Sequence, residues 1–368
     1  MLFRTLRGDG ARGVVALTAL GGCAASVLAI PVSLDPAWTP TVFDTSGALD
    51  PGASGLFLSG LEVDPLGGTV YVLGHDVPPG GASGITALFA STGLGTAVID
   101  NPGVPVSQVT RANDLTFNPL TSTYDFVGNA APGGPLPGPG GIYQFTPGAA
   151  GATTYAGGAG FPTWATSGLT FGPGGVAATV TSDVGVGHHV GIPAGAVATG
   201  PAVNSDPLPL GYEGGADDHV ITLDGRTIVI GDLTRKLYNV TGGAGTVFPL
   251  FDLTTIPGFV DTGFFGSRGT VDPATGDIFV AFATGGGTDI FRIKADGSAG
   301  SLFATGFVDG VRDIDFGLSS AGDGTFSLYA TEVNLGLGVG SIYEFQIPAP
   351  GAAGLLAIAG GCLLRRRR

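Results

Sequence analysis

The sequence predicts an all-β protein: a six-bladed β-propeller closed by an N-terminal strand, preceded by a signal peptide and followed by an apolar tail that ends in arginines. Three observations predict it. Gly accounts for 68 of the 368 residues and charged residues for only 12%, so amphipathic helices with solvated charged faces are hard to build, whereas short strands joined by glycine turns are easy. Hydrophobic residues make up 43%, enough apolar surface to offset the entropy lost on ordering the chain. The third is a repeat that runs through the body.

Each copy of the repeat starts on a small or polar residue, alternates apolar with other residues, turns at Asp, Asn or Gly, and returns as a second apolar strand. The copies are GLEVDPLGGTVYVLG (60–74), NDLTFNPLTSTYDFVGN (113–129), SGLTFGPGGVAATVTS (167–182), DHVITLDGRTIVIGD (218–232), RGTVDPATGDIFVAF (268–282) and RDIDFGLSSAGDGTFSLYATE (312–332). Anchored on Val63, Phe117, Phe171, Leu223, Val271 and Phe316, they recur at intervals of 54, 54, 52, 48 and 45 residues, a length that suits four-stranded blades better than helix pairs.

A third strand follows each copy, as in KLYNV and GSIYEFQI, and a fourth follows most of them, as in GTAVID (95–100), GTVFPLF (245–251) and GSLFAT (300–305). The last copy lacks its fourth strand, because SIYEFQI runs straight into Pro348. The segment TPTVFDT (39–45) is expected to supply it, sealing the ring and removing the exposed sheet edges that invite aggregation. An irregular pair of β-sandwiches is the alternative should the six matches be coincidental. The Pro/Gly-rich stretches 129–141 and 192–211 read as insertions on blade faces, so residues 30–346 are expected to form one domain.

The first 29 residues have the layout of a secretory signal peptide: arginines at 4, 7 and 12, an apolar run from Gly13, then small residues. Cleavage is expected after Ala29, with Val27 and Ala29 at the −3 and −1 positions; lipidation of Cys23 in LGGC is the alternative. At the other end, the apolar run Gly351–Leu364 is shorter than the ~20 residues of an ordinary spanning helix. Arg365, Arg366, Arg367 and Arg368 resist translocation, so residues 347–368 predict a membrane-retained tail. This arrangement resembles the PEP-CTERM sorting signal of bacterial exosortase systems, with Pro348, Ala349, Pro350 and Gly351 as the sorting motif and Ala349 where that family usually has Glu. The resemblance implies an exported, cell-envelope or extracellular protein handled by an exosortase-like processing enzyme. Cys23 and Cys362 both fall in these ends, so the body has no disulfide, thiolate nucleophile or cysteine metal site.

The formal net charge is −14, but seven of the 15 basic residues lie in the two ends; the body keeps 8 against 28 acids, a net of −20. Such a surface repels nucleic acid. Cations, proteins and glycans remain as partner classes.

In a propeller, the residues just before each innermost strand face the mouth of the central channel. Here those flanks carry Asn113 and Asp114, Asp217 and Asp218 with His219, Arg268, and Arg312 with Asp313, with Glu213 nearby. Converging carboxylate and amide oxygens suit a hard cation such as calcium, which makes Asn113, Asp114, Asp218 and Asp313 the candidate metal ligands; the alternative is that these side chains cap strand ends and bind turn amides. RANDLTFNP (111–119) resembles a blade start of the regucalcin and gluconolactonase family, calcium-dependent six-bladed hydrolases of sugar lactones, which implies a ligand role for Asn113. The positions matching it in other copies are Ser167 and Arg268, and a guanidinium repels a cation. GTVDPATGDIFVAF and GLEVDPLGGTVYVLG also resemble NHL-type repeats, whose role is usually binding. His188 and His189 are adjacent, so on a strand they face opposite sides; no nucleophile elbow, zinc-helix or dinucleotide motif is present, and no catalytic residue is assigned. The expectation is a binding or interaction module, with a calcium-dependent hydrolase of the sugar-lactonase type as the alternative.

Overall fold

The computed structural model describes residues between 30 and 347, apart from 50–56, 66, 76–85, 94–112, 129–140, 147–152, 158–165, 172–176, 184–185, 193–203, 208–215, 232–233, 242–247, 262–266, 285–286, 309 and 335–338. The signal peptide, the sorting motif, the arginine tail, Glu213 and the strand expected at 95–100 lie outside the described residues.

Two strands open the chain, β1 (Val32–Ser33) and β2 (Thr39–Thr45), and a single helical turn α1 (Ser46–Leu49) follows. The repeats then appear in order. The first three sheets are built from β3 (Phe57–Val63), β4 (Val70–His75) and β5 (Thr86–Ser91); β6 (Asn113–Asn118), β7 (Thr123–Gly128), β8 (Gly141–Phe145) and β9 (Thr153–Gly157); and β10 (Thr166–Phe171), β11 (Ala177–Asp183), β12 (Val186–Ile192) and β13 (Asn204–Pro207). The next three start from β14 (Ala216–Ile221), β15 (Thr227–Gly231), β16 (Lys236–Asn239) and β17 (Phe248–Asp252); β18 (Ser267–Val271), β19 (Ile278–Thr284), β20 (Gly287–Ile293) and β21 (Gly300–Phe307); and β22 (Gly310–Leu318), β23 (Phe326–Asn334) and β24 (Val339–Gln346). Consecutive strands within each of these sheets pair antiparallel.

The first strands of these sheets, β3, β6, β10, β14, β18 and β22, neighbour one another in sequence, and β22 returns to β3. The cycle is closed. Each sheet is covered on its two faces by its two neighbours, which explains the nearly continuous burial of strands such as β19, IFVAFAT, and β23, FSLYATEVN.

The N-terminus seals the ring. β2 pairs with β24, Val42 opposite Tyr343 and Pro40 opposite Phe345, as the missing fourth strand of the last sheet. β1 adds a strand that the sequence did not lead us to expect, pairing Val32 with Thr305 and Ser33 with Ala304 at the outer edge of β21. Between them Trp38, 6% exposed, packs edge-on against Phe303 at 5.5 Å and Phe316 at 6.1 Å, so the N-terminal segment clamps two adjacent sheets to each other.

The expectation of six four-stranded blades is corrected in its counts. Five sheets have four strands or more, one of them five because of β1, and β3–β5 has three described strands. The repeat anchor at Leu223 is also corrected: β14 ends at Ile221, and Leu223 is 64% exposed in the following turn. With Ile221 as anchor the intervals become 54, 54, 50, 50 and 45 residues. The sequence pattern slipped by two because Leu223 keeps the strand's alternation into the turn.

Candidate functional site

A strand at the channel wall has a partner on one side only, so some of its N–H groups need acceptors from elsewhere. The chain supplies them as carboxylates from the preceding inner strand. Asp114 accepts from the Leu169 N–H, Asp218 Oδ2 from the Gly269 N–H at 2.7 Å, and Asp313 Oδ2 from the Leu61 N–H at 2.7 Å. Two residues further on, Asp315 Oδ2 accepts from the Val63 N–H at 3.0 Å and Glu62 accepts from the Phe117 N–H. The step of two on both sides of the seam means that neighbouring inner strands run in the same direction along the channel.

Local backbone geometry aims these side chains. The ladder between first and second strands shifts register at Asn113/Leu115, Ala216/Asp218 and Val311/Asp313. A bulge of this kind turns one side chain out of the alternation, and Asp114 itself has φ +47°. The positions equivalent to the three aspartates in the intervening sheets are Gly60, Gly168 and Arg268, so Arg268 aligns with Asp114 and not, as the sequence suggested, with Asn113. A Cβ on Gly168 would collide with Asp218 Oδ1, so glycine there leaves room for the next carboxylate.

Asp114, Asp218 and Asp313 thus alternate around the channel and share one cavity of about 220 Å³ with Glu62, His219 and Asp315. Arg268 is the cation among them. Its Nε donates to the Arg312 carbonyl at 3.0 Å and its Nη1 to the Ser267 carbonyl at 2.8 Å, while its charge favours the ionised form of all three aspartates. Burial works the other way and wins. Asp114 is pushed up to about 6, and Asp315 up to about 7. Asp218, Asp313 and Glu62 are raised well above the usual carboxylate range, first by burial and then by neighbouring carboxylates.

Of the residues expected to form the site, the fold therefore brings Asp114, Asp218 and Asp313 together. Asn113 begins β6, and its side chain lies outside the described residues. His188 and His189 lie in β12, opposite Thr181 and Val180 of β11, away from the inner strand. Glu62 and Asp315 were missed by sequence reasoning, although stepping two residues along the aligned repeats from Gly60 and Asp313 would have placed them on the same face.

A cation bound here would have to share oxygens that already serve the backbone. Both oxygens of Asp218 and of Asp313 already accept N–H bonds, the second from His219 N–H at 2.8 Å and Ile314 N–H at 2.9 Å. A guanidinium already supplies the positive charge. Among the described residues, no group of three or more His, Cys, Asp and Glu side chains is arranged to hold a metal ion.

No family profile matches the chain, and no curated relative does. Solved structures do resemble it. The α-L-arabinanase of Penicillium chrysogenum, solved with arabinobiose, has a TM-score of 0.54 at 15% identity, over 87% of this chain and 98% of that one. A protein of unknown function from Bacteroides thetaiotaomicron has a TM-score of 0.51 at 12% identity, over 84% and 75%. The chain is a β-propeller. The calcium-binding protein regucalcin from Agrobacterium tumefaciens matches at a TM-score of 0.46 and 16% identity, over 83% and 95%. At these identities the likeness concerns the fold of the propeller alone.

Proposed function

We propose that this propeller is an exported, surface-sorted binding module of six blades rather than an enzyme. Residues 1–29 act as its signal peptide, and residues 347–368 hold it at the membrane until an exosortase-like enzyme acts at Pro348–Gly351. One observation carries the reading. Each described channel carboxylate accepts the N–H of the next inner strand, and Arg268 is the described cation that favours the ionised form of the three aspartates. A base or metal ligand drawn from this set would have to share its oxygens with a contact between blades.

Topology supports the same reading. Phe345 is level with Leu328 and Leu328 with Phe316, near the C-terminal end of β22, whereas Asp313 is level with Thr331 and Ile342. The tail therefore leaves from the end of the channel opposite the three aspartates. A tethered propeller then presents the aspartate mouth and its surrounding connections outward, toward a protein or glycan of the envelope.

The second reading, a calcium-dependent hydrolase of the sugar-lactonase type, is favoured by the shared aspartate cavity. Calcium titration of the full chain separates the two. A site holding calcium at a hundredfold excess over its Kd adds ~2.7 kcal/mol of stability. The binding-module reading expects an unchanged melting temperature at millimolar calcium and no lactone hydrolysis, together with retention on envelope polysaccharide or protein arrays. Calcium-dependent hydrolysis lost in Asp218→Asn would overturn it.

A further inference from the structure

The end of the channel where the tail leaves is more apolar than the aspartate mouth. A cavity of about 330 Å³ opens there among Val63, Pro65, Val271, Pro273, Phe316 and Phe326, with Glu62 and Asp315 at its inner side, shared with the aspartate cavity. Around it, large apolar side chains stand in solvent on the same side. Leu120 and Leu223 lie in the connections between first and second strands and are 54% and 64% exposed; Phe326 begins β23 and Phe248 begins β17, at 37% and 66%. Phe248 pairs with Asn239, the last residue of β16, which places it at this same end.

The chain that follows is on a short leash. Ile347 packs against the core cluster that contains Trp38 and Phe345, and Gln346 Nε2 donates to Ser320 Oγ at 2.9 Å. The apolar run Gly351–Leu364 starts four residues later, a reach of ~14 Å even fully extended. Two of the intervening residues are prolines, Pro348 and Pro350, which stiffen the leash. As a helix, the fourteen-residue run would be ~21 Å long, against a hydrocarbon core of ~30 Å. With Arg365–Arg368 held at the far headgroups, the shortfall falls on the side of the body.

We propose that this end of the propeller rests on the bilayer surface, with Leu120, Leu223, Phe248 and Phe326 seated among neutral, zwitterionic headgroups. The inference rests on the tail being membrane-inserted. Anionic lipid is not favoured: exposed Asp296 and Asp323 stand in the turns at this end, Asp224 is paired with Arg226 at 2.8 Å, and Lys294 is the exposed cation beside them. The apolar side chains are spread over several blades, so the contact is shallow and depends on the tail to hold it.

The test uses the full chain with Cys23 and Cys362 replaced by Ser and one new cysteine, Leu223→Cys, Phe326→Cys or, at the opposite end, Val308→Cys. Each is labelled with an environment-sensitive fluorophore and mixed with phosphatidylcholine vesicles. The expected result is flotation of all three, with a blue shift and quenching by spin-labelled lipid at 223 and 326 but not at 308, weakened when part of the lipid is phosphatidylglycerol. Flotation with unchanged emission at 223 and 326, or a shift at 308 instead, overturns the seated orientation while leaving the tail reading intact. Failure to float overturns the tail reading, and the orientation with it.

Discussion

Asp313 Oδ2 lies 2.7 Å from the Leu61 nitrogen, a hydrogen bond between residues 252 positions apart that spans the seam between the last repeat and the first. The same contact recurs at two other seams through Asp114 and Asp218. The carboxylates that suggest a metal site in the sequence thus fasten blades to one another. Replacing Asp313 by Ala leaves the Leu61 N–H buried without this acceptor, which costs ~1–3 kcal/mol. Asp313→Asn keeps an acceptor oxygen and should lose less. Urea unfolding of the two variants checks this, and equal losses would count against the fastener role.

Arg268 is half-buried, holds two backbone carbonyls and favours the ionised forms of three buried aspartates. Arg268→Met removes the cation and lets those carboxyls climb further. The loss should be ~1–3 kcal/mol at alkaline pH, the usual cost of removing a charged hydrogen-bonding group and leaving its partners unsatisfied. In mild acid, where the aspartates carry protons, it should be smaller. A loss independent of pH would mean that Arg268 acts through packing alone.

Channel titration sets the pH dependence of the wild-type protein. Asp114 and Asp315 are raised from 3.8 to about 6 and about 7, so the folded state binds protons more tightly than the unfolded chain. The stability they contribute is fully present below the unfolded value near 3.8 and is lost as pH rises through 6 and 7. A change on the order of a few kcal/mol is expected at about 1.4 kcal/mol per pKa unit. Denaturant midpoints should therefore fall between mildly acid and mildly alkaline pH; a midpoint that rises across that range would refute the assignment.

Trp38 joins the two sheets that the N-terminal segment clamps. Its ring meets Phe303 of one sheet edge-on at 5.5 Å and Phe316 of the next at 6.1 Å. Trp38→Ala should cost ~3–5 kcal/mol, as a large ring leaves a cavity in a close-packed core. The melting temperature measures it directly. A loss comparable to that of an exposed-residue change such as Leu223→Ala would show that the clamp is dispensable.

Much of the architecture was legible before any coordinates. The repeat spacing, the third strands and the pairing of 39–45 with the last sheet followed from alternation and from the absence of a fourth strand before Pro348. These are local signals, because strand alternation is written in adjacent residues. The five-stranded sheet was not legible, since β1 is two residues long and has no periodicity to detect. Leu223 misled the pattern because a turn residue can continue an alternation that the backbone has already left.

A ring of repeated sheets with acidic flanks could be read from the chain alone, since glycine turns, apolar alternation and charge segregation are properties of neighbouring residues. Which groups those acids meet depends on the folded arrangement. Their partners are N–H groups of the next sheet, roughly fifty or more residues away, and the register shifts that aim Asp114, Asp218 and Asp313 arise from pairing between strands. It also decided which end of the channel the tail leaves, because that depends on how β24 lies against β23 and not on any residue of the tail.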